Sequence, residues 1–202
     1  MSRSRFLAPL VIAALLPLGS MALHAQNAKQ LTSGTTTLTL DSNLLLGLQA
    51  ASITVTPAAP ATGTSNSATF PVATGAVDMD TLVGVVYTSG GLTFSSSNTS
   101  VTVSQFAILA QPNHEPVMYA LVTLNGKVEG LVGAFNIGGD LTNSSSGTNL
   151  TLNNLSITLS QLGANLLNTS FGISDFAGGQ AVGTANLSGT VGPLGTGATA
   201  KR

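Results

Sequence analysis

His114, Glu115, Glu129, Asp78 and Asp80, with Tyr87 and Tyr119, are the side chains through which this chain could do chemistry. The spacing Asp78-Met79-Asp80 can set two carboxylates on one cation. Calcium, which takes about six to eight oxygens, would draw the rest from Asn, Ser and backbone carbonyls. The stretch lacks the Asp/Asn/Gly ladder of a calcium loop, and an acidic turn stands equally well without an ion. His114 lies between Pro112 and Pro116, on an expected loop tip. Zinc needs about four ligands and the chain has no Cys, so single axial ligation of haem is the metal chemistry left to His114.

Hydrolytic templates fail. A Ser-His-Asp site needs a base, and beyond the leader His114 is the only histidine; no G-x-S-x-G nucleophile elbow occurs. Glu115 and Glu129 flank Asn125-Gly126 and could approach each other across that hairpin as a glycosidase pair. Sugar sites want aromatic platforms, however, and the chain has no Trp and two Tyr. The bland reading is two solvated carboxylates. No enzyme is expected and no cofactor is called for.

Composition narrows the partners. Only 6% of the 202 residues are charged, against about 25% in ordinary soluble domains. Thr, Ser, Asn and Gly fill the polar positions. No cluster of cations exists to displace counterions, so nucleic acid is excluded as a partner. The basic end at Arg3 and Arg5, the apolar run Phe6 to Leu18 and the small-residue stretch to Ala25 read as a secretory signal over residues 1–25, with Ser20-Met21-Ala22 a second cleavage option. The apolar run is too short to span a bilayer, so no integral membrane segment is expected after processing. Periplasmic, secreted or cell-surface residence follows.

The elements that must position these residues are strands. Residues 26–34 read as a polar leader, 35–191 as one domain and 192–202 as a flexible tail. Thr35 to Leu40 alternates, and Asp41 or Ser42 can cap a short leucine-rich helix. The stretch Pro57 to Ser67 reads as a loop. The central stretch Phe70 to Ile108 alternates on both sides of Gly90-Gly91, a pair that accepts the positive φ angles of a tight hairpin. Apolar alternation slips phase at Ser104-Gln105 and again between Leu152 and Leu155, which marks two β-bulges. Asn125-Gly126 favours a type I′ hairpin. Val117 to Leu124 is nearly all apolar, as in a strand covered on both faces, and Gly138 to Gly147 reads as a polar loop. Ser160 can cap a second helix. TLTLDSNLLLGL (Thr37 to Leu48) and SITLSQLGANLL (Ser156 to Leu167) echo each other as strand, cap and helix, which would place them at opposite ends of one sandwich. The expected fold is all-β, an antiparallel β-sandwich with two short helices.

The order of stretches TTTLTLDSNLLLGLQAASITVTP, FPVATGAVD, LVGVVYTSGGLTF, TSVTVSQFAI and MYALVTLNGKVEGLVGAF resembles the HtaA domain family, secreted or cell-surface β-rich domains of bacterial haem uptake. The resemblance covers most of Thr35 to Val191. It implies a β-rich fold, an iron-ligating tyrosine near the start of the domain, and a supporting histidine beside the Gly-Gly pair. This chain departs at both places. Leu40 to Val55 holds neither Tyr nor His, the matching positions beside Gly90 are Thr88 or Ser89 with Tyr87 adjacent, and the domain has no arginine for haem propionates. The expected function is a secreted, non-enzymatic module with a structural or binding role at the cell envelope, either self-associating or meeting an envelope partner. The alternative is binding of haem or another apolar ligand through a degenerate site, with Tyr87 and His114 as its residues.

Overall fold

The computed structural model describes residues 27–139 and 143–194. The expected signal segment and residues 195–202 lie outside the described residues. Strands and helices follow as β1 (Ala28–Leu40), α1 (Ser42–Ala50), β2 (Thr54–Ala58), β3 (Thr62–Gly63), β4 (Ser67–Asp78), β5 (Gly84–Thr88), β6 (Gly91–Ser95), β7 (Ser100–Ala110), β8 (Val117–Leu124), β9 (Lys127–Gly138), β10 (Asn143–Ser146), β11 (Asn149–Leu159), α2 (Gln161–Phe171) and β12 (Ala181–Pro193). Residues 28–34 of the expected leader are part of the fold: β1 begins at Ala28 and pairs from there with β4, Ala28 opposite Asp78.

The sheet closes on itself. Taken around the ring, β1 pairs with β4, β4 with β5, β5 with β7, β7 with β8, β8 with β9, β9 with β11, β11 with β12, and β12 with β1, every pair antiparallel. This is an eight-strand barrel with β2, β3, β6 and β10 added to it, not the expected sandwich. Alternation is the same in both architectures. What separates them is the β1–β12 ladder, a long-range pairing that joins the two ends of the chain. Bulges supply the coiling that closure requires. The β7–β8 register shifts between Ser104 and Ala107, and the β11–β12 register shifts between Leu152 and Leu155, where the apolar phase slips.

Gly90-Gly91 does not make a hairpin. β5 and β6 never pair with each other; both lie along the same side of β7, β5 on Ala107 to Ala110 and β6 on Ser100 to Ser104. They are one interrupted strand, broken opposite the β7 bulge, where Gln105 (φ 52°) donates its N–H to the carbonyl of Gly90 (φ 83°) at 2.9 Å. The break lets the lower half pair with β4 and the upper half with β2. The expected loop Pro57 to Ser67 likewise carries the end of β2, the short β3 and the start of β4, and the expected loop Gly138 to Gly147 carries β10. Asn125-Gly126 does turn as expected, with positive φ at both residues (50° and 81°).

Both helices sit at one end of the barrel. β1 and β11 flank β12, and the chain leaves each near the start of β12: Asp41 N–H donates to Val182 O, and Leu159 N–H to Gln180 O, each at 2.8 Å. The two echoing segments are therefore neighbours at the same end, because strands that are both antiparallel to β12 run in one direction. Asp41 Oδ1 caps α1 by accepting from Asn43 and Leu44, and Ser160 Oγ caps α2 by accepting from Gly163. Leu44 and Leu48 of α1, with Ala164 and Leu167 of α2, join the main core beside Val55, Phe94, Val101 and Val122. Inside the barrel Phe106 meets Phe70 edge-on at 5.2 Å and Phe135 at 6.2 Å. The interior is filled by side chains rather than open as a channel.

Candidate functional site

At the end of the barrel away from the helices, Asp78 closes the turn from β4 to β5. Its Oδ1 accepts the N–H of Thr81 (2.9 Å), the N–H of Asp80 (3.0 Å) and the hydroxyl of Thr81 (3.0 Å). The Thr81 N–H is the chief cause that holds this carboxyl below the ordinary aspartate value. Burial works partly against it, and the Thr81 hydroxyl and Asp80 N–H assist. Asp80 instead accepts from Asn27 Nδ2 at 3.1 Å. The pair thus serves its own turn and the start of β1. No group of three or more His, Asp or Glu that could hold a metal ion occurs among the described residues.

His114 is exposed in the β7–β8 loop at the same end, its Nδ1–H donating to Pro112 O at 2.8 Å. Glu115 follows it, exposed. Glu129 pairs with Lys127 at 3.2 Å in β9, beside the far end of β8. Most of β8 separates the two glutamates, roughly 20 Å at strand rise, so they do not approach as an acid–base pair.

The two tyrosines, in contrast, come together in one cross-strand row, which reads Thr74, Tyr87, Ala107, Tyr119, Gly133 from β4 to β9. Their strand neighbours Val86, Thr88, Phe106, Met118 and Ala120 are buried, so by the period of two the row stands on the outer wall. Tyr87 is 42% exposed. The next rows on this wall add Val85, Leu109 and Val117, and Leu121 with Leu131, which is 56% exposed. None of these side chains is charged. The opposite wall is built from Thr35, Thr37 and Thr39 of β1 beside Ser188, Asn186 and Thr184 of β12, with Thr37 and Thr69 hydroxyls 3.1 Å apart. The barrel exterior is therefore two-faced, hydroxyl and amide on one half and mainly apolar on the other, where Thr74, Ser104 and Asn136 are polar members of the same rows.

Sequence reading singled out Tyr87 but missed Tyr119 as its companion. The signal lay in the unbroken apolar run of β8, which is not covered twice: among the described residues its outer side chains are half-exposed.

The interior offers little space. One cavity of about 50 Å³ lies between Val77, Val86, Leu150 and Leu187, and another of about 20 Å³ among Thr36, Phe70, Thr88 and Phe106. A cofactor the size of haem needs several hundred Å³. α1 presents no Tyr or His. Of the two positions, Thr88 or Ser89, that the resemblance matches to a supporting histidine, Thr88 is buried and faces inward, and Tyr87, one residue earlier, faces out. The described residues do not form an iron site inside this barrel.

Comparison with solved structures settles the architecture. The C-terminal domain of HtaA from Corynebacterium glutamicum superposes with a TM-score of 0.63 over 81% of this chain and 99% of that one, at 17% identity. This chain has the HtaA-domain fold. The haem-binding protein HtaB from the same organism matches at a TM-score of 0.53 and 14% identity, covering 82% of this chain and 95% of its own. A variant of the HtaA domain, solved as a domain-swapped dimer, matches at 0.55 and 17%, over 75% and 92%. No protein-family model and no curated protein sequence matches. At these identities the likeness establishes the fold alone.

Proposed function

We propose that this chain is an exported, non-enzymatic binding module of the cell envelope that offers the apolar wall of β5, β7, β8 and β9 to a partner. The observation that carries this reading is the run of apolar and aromatic outer side chains that includes Tyr87, Tyr119 and Leu131. Contiguous apolar surface of that kind is uncommon on a monomer and marks an interaction site. The separation of Asp78 in the β4–β5 turn, His114 and Glu115 in the β7–β8 loop and Glu129 in β9 supports a non-catalytic role, and the basic–apolar–small order of residues 1–25 supports export. A second copy is one partner always at hand, and the domain-swapped form of the HtaA variant favours it. Sedimentation of the mature chain tests this. Concentration-dependent association that Leu131→Asp abolishes is expected. A strict monomer at high concentration removes self-association, and cross-linking to envelope proteins that is indifferent to Leu131→Asp removes the wall as the binding surface.

The second reading is haem binding, favoured by the fold shared with HtaB, whose structure is that of a haem-binding protein. It would rest on the exposed Tyr87 with His114 as the other candidate, and it predicts a Soret band that Tyr87→Phe removes.

A further inference from the structure

The buried core is in two parts. The main cluster runs from the helices to Phe70, Phe106 and Phe135; a smaller one, with Val77, Met79, Leu82, Val86 and Leu187, fills the end away from the helices. Ile108 and Leu152 pack against both. The cavity of about 50 Å³ lies where the two meet, and no polar side chain lines it. Val77, Val86 and Ile108 border it from β4, β5 and β7, Leu150 and Leu187 from β11 and β12.

Two irregularities of the backbone stand at this space. The β11–β12 register shifts between Leu152 and Leu155, and both leucines line the cavity; a bulge bends its strand and breaks the regular packing row. Leu82, in the β4–β5 turn, holds a φ of 57°, a left-handed conformation that is strained for a bulky residue. The turn enforces it: Leu82 N–H donates to Asp78 O at 2.8 Å, and Asp78 N–H to Val83 O at 2.9 Å. The side chain so placed is 8% exposed and lines the cavity from the barrel end.

We propose that this cavity is a binding site for a small apolar guest, closed at the barrel end by Leu82. The ligand class follows from the wall and the volume. A space without hydrogen-bonding side chains gives water no partners and stays dry, and dry apolar cavities take up apolar molecules. A cavity of roughly 150 Å³ holds benzene or xenon. At about 50 Å³ this one admits the atom and not the ring. The site lies inside the barrel and is independent of the outer wall of Tyr87 and Tyr119.

Xenon tests the site without any substitution. The full chain, labelled at leucine and isoleucine methyls, is followed by NMR as xenon pressure rises. Saturable shifts at the methyls of Leu150, Leu155 and Leu187 are expected, while Leu38 and Ile157, which line the smaller cavity of about 20 Å³, stay unmoved. No shift at the first three, or equal shifts at both sets, overturns the proposal. Benzene tests the closure. Leu82→Ala removes side-chain volume from the wall, so saturating benzene should raise the denaturation midpoint of that variant and leave the wild type unchanged. A variant midpoint that benzene does not move would remove Leu82 as the closing side chain. The wild-type xenon shifts decide the site even if Leu82→Ala fails to fold.

Discussion

Asp78 is the acidic residue whose surroundings are most specific. Three donors converge on one oxygen, so Asp78→Ala leaves two backbone N–H groups and a hydroxyl without their acceptor, and a loss of about 2 kcal/mol is expected in urea denaturation. The pH dependence has a definite sign. The native turn holds the carboxylate form, so the folded pKa lies below the ordinary 3.8. The stabilisation is then complete above that ordinary value and is lost as pH falls through the lowered folded one. Wild-type stability should fall over that acid range by more than that of Asp78→Ala; equal slopes would show that the turn does not favour the charged form. The sequence displayed Asp78-Met79-Asp80 as a spacing, and a spacing alone does not tell a cation pair from a turn that satisfies its own N–H groups. Tyr87 was visible as an aromatic in an alternating strand, but its companionship with Tyr119 depends on both strands pairing with β7, information that no local pattern carries.

The helical corners show how an element's surroundings decide the effect of one methyl group. In a helix interior, Gly→Ala ordinarily stabilises by about 1 kcal/mol. Gly47 in α1 has open space where a Cβ would stand, so Gly47→Ala should raise the denaturation midpoint. Gly163 in α2 lies against β9, where a Cβ would be driven into the backbone carbonyl of Ala134. Gly163→Ala should therefore lower stability by about 1–3 kcal/mol despite the better helix propensity. Equal signs for the two substitutions would contradict the docking of α2 on β9. Removing either cap, by Asp41→Ala or Ser160→Ala, should cost about 1 kcal/mol, and more for Ser160, whose hydroxyl also donates to Gly133 O. Caps, the Asn125-Gly126 turn and both bulges were legible because each has a local signature: a side-chain acceptor, a pair able to take positive φ, a slip in phase. Gly90-Gly91 misled for the same reason. Its positive φ is real, but it serves a break in a continuous strand and not a reversal.

At the scale of the molecule, barrel closure rests on the ladder between β1 and β12, which lie about as far apart in sequence as this domain allows. Period-two alternation predicts strands and an apolar interior, and the buried Phe70, Phe106 and Phe135 bear that out; it is silent on whether the last strand returns to the first. The HtaA-domain resemblance was carried by stretch order, and the fold follows it while the expected ligand positions do not. Thr88 points into a packed interior, α1 brings leucines, and the spaces within the barrel are far below haem size. The measurement to make first is a haemin titration of the chain from Gln26 to Arg202, followed by absorbance. A featureless, non-saturating titration is expected, the mark of a barrel that shares the HtaA-domain fold without an iron site. Saturable binding with a sharp Soret band, abolished by Tyr87→Phe, would contradict that reading and place haem on the outer wall.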